Sequence, residues 1–123
     1  MGESRVLVID DNIDAADTLR DALELGGRTV EVAYDGPEGL AKARVFEPQV
    51  VVCDIGLPGM DGYVVARAMR DDPLLRTAAL VALTGYGRPD DVQRALDAGF
   101  DVHVTKPSTL EALEQLVDRL ATH

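Results

Sequence analysis

Apolar residues recur along this chain in two alternating rhythms. Arg5 to Ile9 (RVLVI) is a β-branched run closed by acids, which predicts a buried strand. Ile13 to Leu25 then sets Ala16, Leu19 and Leu23 at helical spacing, with Gly26-Gly27 as the stop. Thr29 to Tyr34 (TVEVAY) alternates and predicts a second strand. Gly36-Pro37 places proline at a first helical position, and the helix that follows must end before Pro48. Val50 to Cys53 is a wholly apolar third strand closed by Asp54. Ile55 to Gly62 (IGLPGMDG), with three Gly and one Pro in eight residues, is loop chemistry.

The alternation continues to the end of the chain. A helix from about Asp61 carries Val64, Val65, Ala68 and Met69 on one predicted buried face and ends before Pro73. Ala78 to Leu83 predicts a fourth strand, followed by the loop Thr84-Gly85-Tyr86-Gly87. Val92, Ala95 and Leu96 mark a fourth helix stopped by Gly99, and Val102 to Thr105 is a short fifth strand. Leu110, Leu113, Val117 and Leu120 form the buried stripe of a last helix. Five strand–helix pairs in this order predict an α/β domain, a mostly parallel sheet with helices on both faces. No linker, repeat or low-complexity tract interrupts the pattern, so residues 1–123 are read as one domain with a core from about 5 to 120.

Composition narrows the class. A chain of 123 residues can bury roughly two-thirds of the surface that it exposes when unfolded. Its 46% hydrophobic and 28% charged residues are those of a soluble globular domain rather than a disordered one. Twelve Lys and Arg against 22 Asp and Glu leave a net charge of −10, which argues against binding nucleic acid through its phosphate backbone. Metal ions, basic partners and small phospho-compounds held through a metal remain. One cysteine forms no intrachain disulfide, and its place in an apolar strand fits a reducing compartment. With two His and one Cys, a Cys/His zinc site and a Cys–His nucleophile pair lack ligands. No signal segment opens the chain, and no apolar run approaches the roughly 18 residues of a membrane span. A cytoplasmic protein off the membrane is expected.

The chemistry gathers at the carboxyl ends of the strands. Asp10 and Asp11 follow the first, Asp54 ends the third, Thr84 follows the fourth and Lys106 the fifth. In an open α/β sheet, ligands bind beyond these ends where the strand order reverses. If the order is 2-1-3-4-5, the reversal lies between strands one and three, which are only about 4.8 Å apart. Three carboxylates brought together there repel, and a hard divalent ion such as Mg²⁺ suits oxygen ligands. A carboxylate nucleophile, a metal, a lysine and a hydroxyl together match phosphoryl transfer. Asp54, the acid outside the Asp10-Asp11 pair, is then the nucleophile. Any one of these residues alone reads as a turn, a helix cap (Asp11 or Asn12) or a solvated loop charge. Their joint placement at four neighbouring strand ends is what favours a site.

The chain resembles the receiver domain of two-component response regulators over roughly Arg5 to Leu120. The resemblance is carried by Val8-Ile9-Asp10-Asp11-Asn12, Asp35-Gly36, Cys53-Asp54, Leu57-Pro58-Gly59-Met60-Asp61-Gly62, Ala82-Leu83-Thr84-Gly85, Ala98-Gly99 and Lys106-Pro107. It implies a flavodoxin-like (βα)5 fold with strand order 2-1-3-4-5. It also implies that Asp54 accepts a phosphoryl group from a phosphohistidine of a histidine kinase or histidine phosphotransfer protein. On the same resemblance Asp11, Asp54 and the Gly56 carbonyl ligate Mg²⁺, for which Mn²⁺ substitutes, and Asp10 acts mainly through water. Lys106 pairs with Asp54 and then with the phosphoryl group, Thr84 turns inward to a phosphoryl oxygen, and the Lys106-Pro107 bond is cis. The loops look most like those of receivers attached to hybrid histidine kinases. A signalling receiver, monomeric or weakly dimeric when phosphorylated, is expected rather than an enzyme. It would assist its own phosphorylation and dephosphorylation, and carry no DNA-binding or catalytic output module.

One position departs from the family. Its switch aromatic, usually Tyr or Phe, is His103 here, which puts an inward swing of that ring in question and introduces a group whose charge changes near neutral pH. Tyr86 either takes over the signalling role, shields the phosphoryl group from water, or is a loop aromatic. Asn12, Ala15 and Thr18, with Pro107, either admit a donor helix or form an ordinary exposed face. Two rival functions remain open. A degenerate receiver that only binds protein would lack a site residue, yet all five are present. An aspartyl-phosphate phosphohydrolase of the haloacid dehalogenase type would place an acid two residues after its nucleophile, where Asn12 follows Asp10, and would carry a cap domain.

Overall fold

The computed structural model describes residues 4–85, 89–106 and 109–121. Strands β1 (Arg5–Ile9), β2 (Thr29–Ala33), β3 (Val50–Asp54), β4 (Ala79–Thr84) and β5 (Val102–Thr105) alternate with five helices. These are α1 (Ile13–Leu25), α2 (Gly36–Phe46), α3 (Gly62–Asp71), α4 (Pro89–Ala98) and α5 (Leu110–Ala121). The strands form one parallel sheet in the order β2-β1-β3-β4-β5. The direction of winding therefore reverses between β1 and β3.

Both faces of the sheet are covered, which is why its central strands are apolar throughout rather than alternating. Leu7, Ile9, Val51 and Cys53 point to the face covered by α2, α3 and α4, where Leu40, Met69 and Ala95 meet them. Val6, Val8, Val50 and Val52 point to the other face, against Leu19 and Leu23 of α1 and Leu113 and Val117 of α5. Four helices start on side-chain caps. Asn12, Asp35, Asp61 and Thr109 accept hydrogen bonds from the backbone N–H of Ala15, Glu38, Val64 and Ala112, as short polar residues do at this position.

Some expected positions shift. Thr84 belongs to β4 and pairs with Thr105, while Ala78 closes the preceding turn by donating to the Leu75 carbonyl. Val64, Leu96 and Leu110, read as buried, are 42%, 46% and 41% exposed. The stripe of α3 runs instead through Tyr63, Ala66 and Met69, with Val65 beside it, so Val64 falls outside the arc. Helix α4 packs through the small Ala95 and Ala98, which leaves Leu96 on the far side. Leu110 opens α5 above the core rather than within it. Tyr86, Gly87 and the Lys106-Pro107 bond lie outside the described residues.

The amino ends of β4 and β5 are fastened by one guanidinium. Arg70 donates to the carbonyls of Gly99 (2.8 Å), Arg76 (2.8 Å) and Ala78 (2.7 Å) and to Asp101 Oδ2 (2.8 Å). Asp101 in turn accepts from the Leu80 N–H. At the opposite end α3 starts against the β3 terminus: a Cβ at Gly62 would lie 2.7 Å from the Asp54 carbonyl oxygen and 2.8 Å from Ile55 Cα. Both obstacles are backbone, so neither can rotate away. Gly62→Ala is expected to destabilise the protein by about 1–3 kcal/mol, read as a lower midpoint in urea unfolding. An unchanged midpoint would show that this contact has slack.

Candidate functional site

The parallel register aligns the carboxyl ends of the strands. Ile9 stands opposite Cys53, Asp54 opposite Leu83 and Thr84 opposite Thr105. Each ladder runs one bond further: Asp10 N–H donates to the Ala33 carbonyl at 3.0 Å, Ile55 N–H to Leu83 at 3.0 Å and Lys106 N–H to Thr84 at 2.6 Å. The backbone thus fixes the roots of Asp10, Asp54, Thr84 and Lys106 before any side chain chooses a rotamer.

Those side chains converge. Asp10, Asp11 and Asp54 each offer a carboxylate oxygen, and the three oxygens lie within 4.8 Å of one another. Asp10 and Asp54 are buried and Asp11 is exposed. Asp54 Oδ1 accepts from the Gly56 N–H at 3.1 Å, and Asp54 Oδ2 takes the Lys106 ammonium at 3.2 Å. The same ammonium lies 3.8 Å from Asp10 Oδ2. Thr84, buried at its strand end, has its hydroxyl 3.0 Å from His103 Nε2. Asp10, Asp11, Asp54 and Lys106 are therefore in one place, with the Gly56 N–H beside them and Thr84 at the neighbouring strand end.

Charge is unevenly balanced in this group, with three carboxylates against one lysine. Burial pushes the Asp10 carboxyl above the usual carboxylate range; the charge of Asp54 adds to this, while the Asn12 N–H and Lys106 oppose it. Three oxygen donors within reach of one centre, one of them on a carboxyl that resists ionising, could hold a cation. The donor set fits a metal ion, and an all-oxygen set suits hard cations such as Mg²⁺, Mn²⁺ or Ca²⁺ over zinc.

Of the two residues read as possible caps of α1, Asn12 is the one that caps it, through Oδ1. Sequence reasoning missed three other contacts here. The Asn12 N–H donates to Asp10 Oδ1 at 2.9 Å. Lys106 reaches Asp10 as well as Asp54. The Thr84–His103 contact depends on which residues face each other across two strands, and no local pattern carries that. Beside the acids, Ala15, Thr18 and Leu19 of α1 face Leu110 and Leu113 of α5 across an open groove.

A family model described as the response regulator receiver domain matches residues 6–118. An uncharacterized 14.6 kDa protein of Leptolyngbya boryana is 36% identical over 119 residues, covering 97% of this chain and 91% of its own. The response regulator PleD of Caulobacter vibrioides is 40% identical over 106 residues, covering 85% of this chain but 23% of that protein. The chain thus spans most of some relatives and under a quarter of another. Among solved structures, the signal receiver domain of a signal transduction histidine kinase from Syntrophus aciditrophicus superposes with a TM-score of 0.88. It is 32% identical and covers 97% of this chain and 90% of its own.

The burial of Asp10 sets the sign of a pH effect. A carboxyl whose folded value is raised favours folding while it stays protonated and opposes folding once pH rises through that value. Without added divalent ions, Asp10→Asn, which keeps the acceptor for the Asn12 N–H, is expected to raise the urea midpoint at neutral pH. The gain should vanish in acid, where the carboxyl is protonated in both states. A midpoint at or below that of the parent at neutral pH would contradict this.

Proposed function

The chain belongs to the response regulator receiver domain family, and on that premise we propose that Asp54 is its phosphoacceptor. The observation that carries this reading is the 3.2 Å contact between Lys106 Nζ and Asp54 Oδ2, made where two further carboxylates converge. In the proposed reaction an Asp54 oxygen attacks the phosphorus of a partner's phosphohistidine. A P–O bond forms, the P–N bond breaks, and the imidazole leaves with the bonding electron pair. The product is an acyl phosphate.

Each neighbour has a task in that exchange. Lys106 holds the carboxylate beforehand and follows the charge to a phosphoryl oxygen afterwards. The Gly56 N–H steadies Asp54 Oδ1, which keeps the carboxyl plane fixed during attack. Thr84, at the end of β4, supplies a hydroxyl donor to a second phosphoryl oxygen. Asp11 and Asp54, with the Gly56 carbonyl, would hold Mg²⁺ or in its place Mn²⁺, with Asp10 acting through water; the ion would supply positive charge that offsets the phosphoryl oxygens. The partner's helix is proposed to dock over Ala15 and Thr18, whose small side chains leave the approach to Asp54 open. Partners of this chemistry are histidine kinases and histidine phosphotransfer proteins.

On this reading residues 1–123 act as one receiver domain, a switch that changes state rather than an enzyme that turns over. Among the described residues no helix is long and apolar enough to cross a membrane; a cytoplasmic place is proposed from the family alone. Wild type incubated with Mg²⁺ and acetyl phosphate should gain one phosphate by intact mass, and Asp54→Ala none. Lys106→Ala should label at least roughly tenfold more slowly. Unaltered labelling of Asp54→Ala would overturn the assignment, and many turnovers of donor per protein would mark a hydrolase. Ala15→Trp tests the docking surface: transfer from a phosphorylated histidine phosphotransfer protein should fall severalfold while acetyl phosphate still labels Asp54.

A further inference from the structure

We propose that Glu38 and Lys42 stand in for a neighbouring strand at the edge of β2, and thereby keep a second copy of this chain from extending the sheet there. The inference does not depend on the reading of Asp54. Among the described residues β2 has one strand partner, β1, and its other side is the edge of the sheet. The Thr29 N–H donates to Ser4, and the Ala33 carbonyl accepts from Asp10, so the backbone groups of Thr29, Glu31 and Ala33 turn toward β1. Those of Val30, Val32 and Tyr34 turn outward. Such a row of N–H and C=O groups is a template on which another strand can pair.

Side chains of α2 occupy two of these outward groups. Lys42 Nζ donates to the Val32 carbonyl at 2.5 Å, and the Tyr34 N–H donates to Glu38 Oε1 at 2.6 Å. Glu38 Oε2 lies 3.7 Å from Lys42 Nζ, which joins the two side chains into one unit. The unit has the hydrogen-bonding pattern of a strand residue. In a parallel pair, one residue donates to the carbonyl before its partner and accepts from the N–H after it. Here the partner is Ala33, the ammonium is the donor and the carboxylate is the acceptor. Helix capping does not account for this. Asp35 caps α2, and a capping-box glutamate would return to the Asp35 N–H. Glu38 reaches one residue further, to Tyr34, and Lys42 takes no part in the cap.

The edge of β2 is complementary to itself. A second β2 laid antiparallel with Val32 opposite Val32 sets Val30 opposite Tyr34 and Glu31 opposite Ala33, so the two glutamates do not face each other. That register needs the Val32 carbonyl and the Tyr34 N–H of both copies, the two groups that α2 holds. Apolar surface beside the edge favours such pairing. Ala41, Val45 and Phe46 line a groove along β2 with Glu31 and Lys42, and Val45 is 86% exposed. An added strand would cover part of it. The net charge of −10 also holds two copies apart, but at about 0.15 M salt this repulsion is screened beyond about 8 Å. The pairing is therefore tested at that ionic strength.

Amide hydrogen exchange and sedimentation equilibrium of the full chain make the test. In wild type the Tyr34 amide should exchange at least about tenfold more slowly than those of Val30 and Val32, and Glu38→Ala should remove the difference. Lys42→Met keeps the apolar stem and removes the donor. Combined with Glu38→Ala, it should make the chain self-associate at least about tenfold more tightly than wild type. The Val30 and Val32 amides should become protected as the copies associate. The inference is overturned if the wild-type Tyr34 amide exchanges as fast as its two neighbours on the edge. It is equally overturned if the folded double variant associates no more tightly than wild type, or associates with the Val30 and Val32 amides left unprotected. Where the double variant fails to fold, wild-type exchange and the association of Lys42→Met alone decide by the same criteria.

Discussion

Like charges held close at the ends of two hydrogen-bonded strands are the constraint around which this molecule is arranged. Asp10 follows β1 and Asp54 ends β3, and the backbone ladder leaves them no freedom to separate. Their mutual repulsion and the burial of Asp10 cost free energy that ordinary folding does not return. What makes the arrangement tenable is the rest of the sheet. Two apolar faces, each sealed by helices, supply the stability that lets one edge of the structure stay electrostatically unfavourable.

The counter-charge is delivered by the same architecture. Lys106 stands one residue past β5, and its N–H is bonded to the Thr84 carbonyl, so the ammonium is aimed from a fixed root. The lysine of this ion pair is partly exposed while its carboxylates are buried, and the value of the pair is positional. It keeps Asp54 oriented and leaves a cation where negative charge will increase. Asn12 does comparable work from the other side by tying Asp10 Oδ1 to the backbone while it starts α1.

Much of this was legible in the residues. The five apolar runs and their terminal acids, hydroxyl and lysine could be read directly, because strands buried on both faces announce themselves by unbroken hydrophobicity. The strand order could not, since nothing local distinguishes one parallel neighbour from another, and it came from the resemblance alone. Helix faces were read with partial success. Periodicity locates a stripe to within one position, and only the packing partner decides whether Val64 or Tyr63 turns inward. His103 was visible as a departure from the family pattern. Its contact with Thr84 was not, because it is diagonal across two strands and depends on register.

Arg70 gives the molecule a fixed end. By binding the Gly99 carbonyl together with Arg76, Ala78 and Asp101, it holds the carboxyl terminus of α4 against the floor of the sheet. The other terminus of α4, at Pro89, lies toward the carboxyl ends of the strands. A ten-residue helix is about 15 Å long, so one side chain secures the far end of an element whose other end reaches the level of the acids, and the pole of the domain opposite the acids is the one that the guanidinium ties together.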